Sequence, residues 1–181
     1  MQVIHPTPYS PEHYKQIQGH RQTRAKECCP CCGKAAVQHR HGDYGRWVVS
    51  RSGEPLLIRI ARFLCMACGR TSSYLPSFAL TYRLLSPGTL EAYLKGEYAG
   101  VDVQRYWELL RRYTRQMTGF APSMVGLVGM GLGPAPPVAS AASAGSVLSW
   151  LEMACGDLEI ATGRLVQTFR LGIFGSYKCH L

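Results

Sequence analysis

Hydrophobic positions change their period along this chain. Between residues 45 and 75 they read as strands. Gly45 to Arg51 is rich in aromatic and β-branched residues, Ser52, Gly53, Glu54 and Pro55 carry turn chemistry, and Leu56 to Leu64 is a second apolar run. A third short strand is predicted at Thr71 to Leu75. After Pro76 the apolar spacing becomes three or four. Ser86 is placed as an N-cap with Pro87 in the first turn, and Leu90, Tyr93, Leu94 and Tyr98 predict a short helix that Gly96 weakens and Gly100 ends. Asp102 is placed to cap a second helix running to Met117. At 100° per residue, Val103, Tyr106, Trp107, Leu110, Tyr113 and Met117 share one side of it, and Arg105, Arg111, Arg112 and Arg115 share the other. Gly119 and Pro122 predict its end. Residues 146–171 recover helical spacing through Val147, Leu151, Ala154, Leu158, Ala161, Leu165 and Phe169, with Ser146 as the cap. The predicted class is α+β, a small antiparallel sheet followed by a mostly helical part.

The remaining segments complete a five-part reading. Residues 1–26 are polar and carry Pro6, Pro8 and Pro11, which predicts a loose or partly docked, flexible basic arm. Residues 27–80 hold the sheet, 81–118 the two helices, 119–145 a linker, and 146–181 the C-terminal helix and tail. Residues 116–151 carry no charge, but glycines and prolines interrupt every window near the roughly 20 apolar residues a membrane span needs, so a linker is expected. The apolar stripe of the last helix needs cover, from the earlier helices, from a second copy in a homodimer, or from a partner protein.

Two C-x-x-C-G stretches change this picture most. They are Cys29-Pro30-Cys31-Cys32-Gly33 and Cys65-Met66-Ala67-Cys68-Gly69. Two such knuckles can place four thiolates around one tetrahedral Zn²⁺. The first is ambiguous in register, because Cys28 and Cys31 share the C-x-x-C spacing. Cys29 and Cys32 are preferred because Gly33 then follows the second ligand, as Gly69 follows Cys68, and a glycine there lets the backbone turn and aim N–H groups at sulfur. The expected ligands are Cys29, Cys32, Cys65 and Cys68. His39 and His41 read as surface or phosphate-facing residues, since four cysteines close the shell. No apolar h-region precedes the knuckles, so a reducing, cytoplasmic setting is expected. Zinc would pin a sheet too small to stand on its own apolar area. Trp47 and Phe63 are expected to form the core of this ribbon.

Charge adds a partner class. Of the 20 Lys/Arg, eleven lie in residues 1–70 against four Asp/Glu, a net +7 there, while residues 116–181 are neutral. A basic half that coincides with the zinc site points to a polyanion, most simply nucleic acid. Arg40, Arg46, Arg51, Arg59, Arg62 and Arg70 decorate the expected sheet, and Arg105, Arg111, Arg112 and Arg115 form a cationic helix face. Two helices joined near Gly100 could form a reduced helix-turn-helix, with residues 102–117 as the recognition helix.

From Cys29 through His41-Gly42-Asp43-Tyr44-Gly45-Arg46 to Cys65–Thr71 and Leu75-Pro76, the chain resembles the zinc-binding N-terminal domain of bacterial insertion-sequence transposases and related mobile-element proteins. The resemblance covers residues 28–85 and implies DNA binding near transposon ends, with a helix-turn-helix following. Ser72 departs from it, standing where the family has an aromatic residue, and Cys28 and Cys31 are extra. Nothing after residue 118 resembles a catalytic domain. Two-metal strand transfer needs clustered carboxylates, and the acidic residues after 71 all fall in predicted helices or caps. The expectation is a non-catalytic accessory or regulatory DNA-binding protein of a mobile element. A zinc-folded protein-interaction module or a truncated transposase remnant is the alternative.

Overall fold

A computed structural model describes residues 1–51, 53–80, 83–97, 103–128, 131–132, 143–169 and 171–176. The fold is α+β. Strands β1 (Gln2–His5), β2 (Gln38–Val49), β3 (Pro55–Cys65) and β4 (Thr71–Pro76) form one sheet in the order β1-β4-β3-β2. β2 and β3 are a long antiparallel hairpin, closed where Gly53 takes a positive φ of 83° and its N–H reaches the Ser50 carbonyl at 2.9 Å. β4 is antiparallel to β3, and β1 adds to it in parallel, with Ile4 opposite Leu75.

The chain before residue 27, expected to be a loose or partly docked arm, is docked through β1 and a short helix. β1 buries Val3 and Ile4. Helix α1 (Pro11–Gln16), capped by Ser10, buries Tyr14. The reason lies in β4, which pairs with β3 only from Ala61 to Leu64. Beyond Ala61 the edge of β3 lacks a strand, and its carbonyls still need donors. Tyr14 supplies one, its hydroxyl donating to the Arg59 carbonyl at 3.3 Å. Its ring joins Val48, Ile58, Ile60, Leu75, Phe78 and Ala79 in the core on one side of the sheet.

On the other side, Ala61, Phe63 and Tyr74 pack beneath Ala25. Phe63 thus lies in a core, as the sequence suggests, but Trp47 does not: it is 54% exposed. Opposed residues in an antiparallel pair share a face, so Trp47, Leu57 and Arg59 continue the face of Ala61 and Phe63. Trp47 and its partner Leu57 are left uncovered, both exposed.

Among the described residues, four helices follow the sheet: α2 (Pro87–Lys95), α3 (Val103–Val128), α4 (Ala144–Cys155) and α5 (Leu158–Arg164). A π-turn (Leu165–Phe169) and a short hairpin, β5 (Leu171–Gly172) with β6 (Gly175–Ser176), close the described chain. α2 begins at Ser86 as expected but stops at Gly96, whose φ of 76° gives a left-handed cap. The expected turn at Gly100 and cap at Asp102 lie outside the described residues. α3 does not end near Met117. It runs 26 residues, about 39 Å, through Gly119 and Pro122. Burial explains the extension, because Met117, Ala121, Met124, Val125 and Val128 keep the apolar spacing and all join one core. Residues 119–128 of the expected linker are therefore helix, and 133–142 lie outside the described residues. The expected helix over 146–171 is broken: Ser143, not Ser146, caps α4, Gly156 ends it with a φ of 97°, and Asp157 caps α5.

The helical core gathers Leu90 from α2, the inner face of α3, Val147, Leu148, Trp150 and Leu151 from α4, and Leu158, Ala161 and Leu165 beyond. The C-terminal stripe is thus covered from within the chain. Several contacts tie the sheet to the helices and to the segment that leads into them, among them the hydroxyl of Thr89 in α2, which donates to the Val49 carbonyl at 3.0 Å. Arg46 on β2 donates to the carbonyls of Leu80 and Arg83 and to Gln2 Oε1. Ser77, just past β4, donates to Glu159 of α5 at 2.7 Å.

Candidate metal centre and its basic surroundings

Each knuckle is built the same way. The N–H of Cys29 donates to the Lys34 carbonyl at 2.9 Å and that of Gly33 to the Cys29 carbonyl at 2.8 Å. The N–H of Cys65 donates to the Arg70 carbonyl at 3.0 Å and that of Gly69 to the Cys65 carbonyl at 2.9 Å. Gly33 and Gly69 have φ of 72° and 65°, the left-handed turn that a Cβ would strain. The two knuckles are tied by the N–H of Met66, which donates to the Val37 carbonyl at 3.1 Å.

The Sγ atoms of Cys29, Cys32, Cys65 and Cys68 all lie within 4.8 Å of one another. Cys29 to Cys68 is 3.9 Å and Cys32 to Cys65 is 4.0 Å. A tetrahedral thiolate site with metal–sulfur bonds near 2.3 Å needs sulfurs roughly 3.8 Å apart, so these four side chains fit one metal ion. Their protonation points the same way. At Cys29, burial opposes ionisation, but the N–H groups of Cys32 and Cys31 and the neighbouring thiols outweigh it and bring the thiol down to about 7. At Cys68, the backbone of Arg70 favours the thiolate, but burial and the thiols of Cys65, Cys32 and Cys29 push it up to about 12. One thiolate is favoured and the next is resisted, as expected of sulfurs held close enough to share a cation.

Cys28 is exposed and stands outside the cluster. Cys31 is buried, with its Sγ 3.4 Å from Ser72 Oγ and 3.8 Å from Met1 Sδ. Ser72 is itself buried. Its small side chain, the departure noted in the sequence, makes room for the extra thiol. His39 and His41 are exposed on β2, away from the sulfurs.

The ten arginines singled out as nucleic-acid contacts divide by what they touch. Arg40 and Arg46 serve the fold. Arg40 donates to the carbonyls of His20 (2.7 Å) and Thr23 (3.4 Å) and lies over the Phe63 ring, so it staples residues 20–23 to the sheet. Arg46 is the clasp described above, and Gly42, with a φ of 78°, forms the bulge between Arg40 and Asp43. Within the His41–Arg46 stretch, Gly42 and Arg46 thus have roles in folding. Arg51 pairs with Glu97 at 2.7 Å, both exposed, and Arg59 pairs with Asp43. Arg62 reaches Thr71 Oγ1 at 3.4 Å, and Arg70 is exposed where it leaves the second knuckle. On α3, Arg105 and Arg111 lean on the rings of Tyr106 and Trp107, Arg111 also lies 3.8 Å from Glu108, and Arg112 and Arg115 are exposed.

Lys34 was missed by the sequence reading. It is exposed and follows Gly33 as Arg70 follows Gly69, so the two knuckles deliver cations at equivalent positions. The aligned C-x-x-C-G-[KR] pattern was the available signal. No described helix is long and apolar enough to cross a membrane.

A family model described as a domain of unknown function (DUF6431) matches residues 29–113, just under half of the chain, from Cys29 of the first knuckle to the buried Tyr113 of α3. No curated protein and no solved structure matches the chain.

Proposed function

We propose that the chain binds nucleic acid, with duplex DNA as the first choice, through a knuckle pair folded by Zn²⁺. The observation that carries this is the equivalent placement of Lys34 and Arg70, two exposed cations on the rigid turns around the sulfur cluster. Four thiolates at tetrahedral spacing suit zinc, and they complete its coordination, leaving no open position for substrate. The role is therefore binding, not catalysis at the metal. The net +7 of residues 1–70 supports a polyanion. The resemblance of residues 28–85 to transposase zinc domains supports DNA, and a mobile element as the setting. Arg62 beside the second knuckle and the exposed Arg112 and Arg115 on α3 extend the cationic surface.

The test is titration of the metal-loaded chain with labelled duplex DNA at several salt concentrations. The logarithm of affinity falls linearly with the logarithm of salt, by about 0.9 per phosphate neutralised, and a Lys34→Gln/Arg70→Gln double variant flattens the slope by about two. Absent binding at low salt, or binding indifferent to salt, defeats the reading. A second reading, a protein-interaction platform, draws on Leu127, Met153 and Ile160, which are 62%, 77% and 51% exposed on the helical half. Light scattering tests it, since a strictly monomeric chain counts against self-association through these side chains.

A further inference from the structure

A cleft of about 320 Å³ opens between the α1 end of the N-terminal segment and the uncovered half of the β2–β3 hairpin. Lys15, His20, Arg21, Asp43, Leu57 and Arg59 line it. We propose that this cleft binds the phosphate group of a nucleotide, and that the indole of Trp47 stacks on the attached base. The inference goes beyond the nucleic-acid reading, because a free nucleotide satisfies it as well as a strand does.

The charge balance favours an anion. Three permanent cations, Lys15, Arg21 and Arg59, face one carboxylate, Asp43. Asp43 is engaged by Nε and Nη2 of Arg59. A guanidinium has five N–H donors, so Arg59 keeps donors for a second oxyanion. Lys15 and Arg21 are exposed and have no ion-pair partner among the described residues. His20 is buried beside them, its Nε2 4.0 Å from Asp43 Oδ2. The volume falls at the lower end of the roughly 300 to 1,000 Å³ usual for small-ligand sites.

The cleft wall is also built rather than incidental. Gln18 holds a left-handed φ of 53°, the one such non-glycine residue described. Gly19 follows it under the Tyr14 ring, where a Cβ would come within 2.3 Å of Tyr14 Cδ2. Arg40 then grips the His20 carbonyl. Packing thus holds a strained turn in place and presents His20 and Arg21 to the cleft. Strain of this kind collects at binding sites. The rim supplies the rest of the ligand's needs. Leu57 lines the cleft, and Trp47 is its cross-strand partner on the same face. An indole 54% exposed beside a cationic hollow is a stacking platform for a base.

The experiment follows the His20 imidazole and Trp47 indole NMR signals of the metal-loaded full chain. Inorganic phosphate is expected to shift His20 and leave Trp47 in place. Adenosine monophosphate shifts both and binds about 5- to 150-fold tighter than phosphate, the span expected for one stacked base. Lys15→Gln/Arg21→Gln weakens both ligands at least tenfold with metal content and amide spectrum unchanged, and Trp47→Ala removes the advantage of the nucleotide over phosphate. A His20 signal unmoved by either ligand, or moved equally in the double variant, overturns the proposal. A single-stranded oligothymidylate then identifies the source. If it shifts the same signals and the nucleotide displaces it, strand phosphates are an occupant. If it binds elsewhere, or not at all, while the nucleotide still shifts His20 and Trp47, the cleft takes free nucleotides, and failure of all nucleic acid to bind defeats the DNA reading alone.

Discussion

The knuckle end and the helical end of this molecule are held by different forces. At the knuckle end the buried set is Cys29, Cys31 and Cys65, with Cys32, Cys68 and Ala36 half-buried around them. At the helical end more than twenty buried residues form one apolar cluster, from Val49 and Leu85 through Met117 and Leu151 to Ile173. The second region is stabilised by removing apolar area from water, at about 25 cal/mol per Å². The first has little such area, and its sulfurs repel one another once ionised. A cation held by the four sulfurs would offset that repulsion, and the helices have no such need.

The comparison breaks if the knuckles survive without metal. Chelation, or Cys65→Ser, is expected to abolish metal binding and forfeit an interaction of about 10 to 16 kcal/mol in comparable sites. Amide exchange should then quicken around residues 29–37 and 65–71 while α3 and α4 stay protected. Cys28→Ser should keep the full metal content, because that thiol lies outside the cluster.

Leu151→Ala sharpens the other side. Leu151 is fully buried, and the cavity should cost about 2 to 5 kcal/mol, read as a lower denaturant midpoint with metal stoichiometry intact. A smaller effect tests the joint. Arg46→Lys keeps the charge but loses the fork that serves the Leu80 and Arg83 carbonyls, and should cost about 1.5 to 3 kcal/mol. The unfolding of the two ends, followed by metal release and by helical signal, should separate in that variant more than in the parent chain.

Much of this was legible in the sequence, for reasons that differ by element. The knuckles announce themselves because coordination dictates both cysteine spacing and the glycine that follows. The β2–β3 hairpin is legible because its pairing is local and its turn residues sit between two β-branched runs. β1 was not, since four residues show no period and their partner lies some seventy residues on. The reach of α3 past Gly119 and Pro122 was hidden by two local stop signals that tertiary burial overrides. Met117, Ala121 and Met124 did carry the clue, in their unbroken spacing. Among the arginines, sequence marks the charge but not its engagement. The bulge at Gly42 and the carbonyls that Arg40 and Arg46 serve exist only after folding. Trp47 misled because alternation tells which residues share a face, not how far the covering segment extends along it.

The parallel pairing of β1 with β4 has a consequence for biosynthesis. Ile4 leaves the ribosome 71 residues ahead of Leu75, its register partner. At about 5 to 20 residues per second, the first strand waits on the order of 4 to 14 seconds with Val3 and Ile4 uncovered. The β2–β3 hairpin, at the opposite edge, can close as soon as Cys65 appears, and β4 must add to it before β1 has a partner, so the sheet is completed from one edge to the other, and its earliest segment is the last to be enclosed.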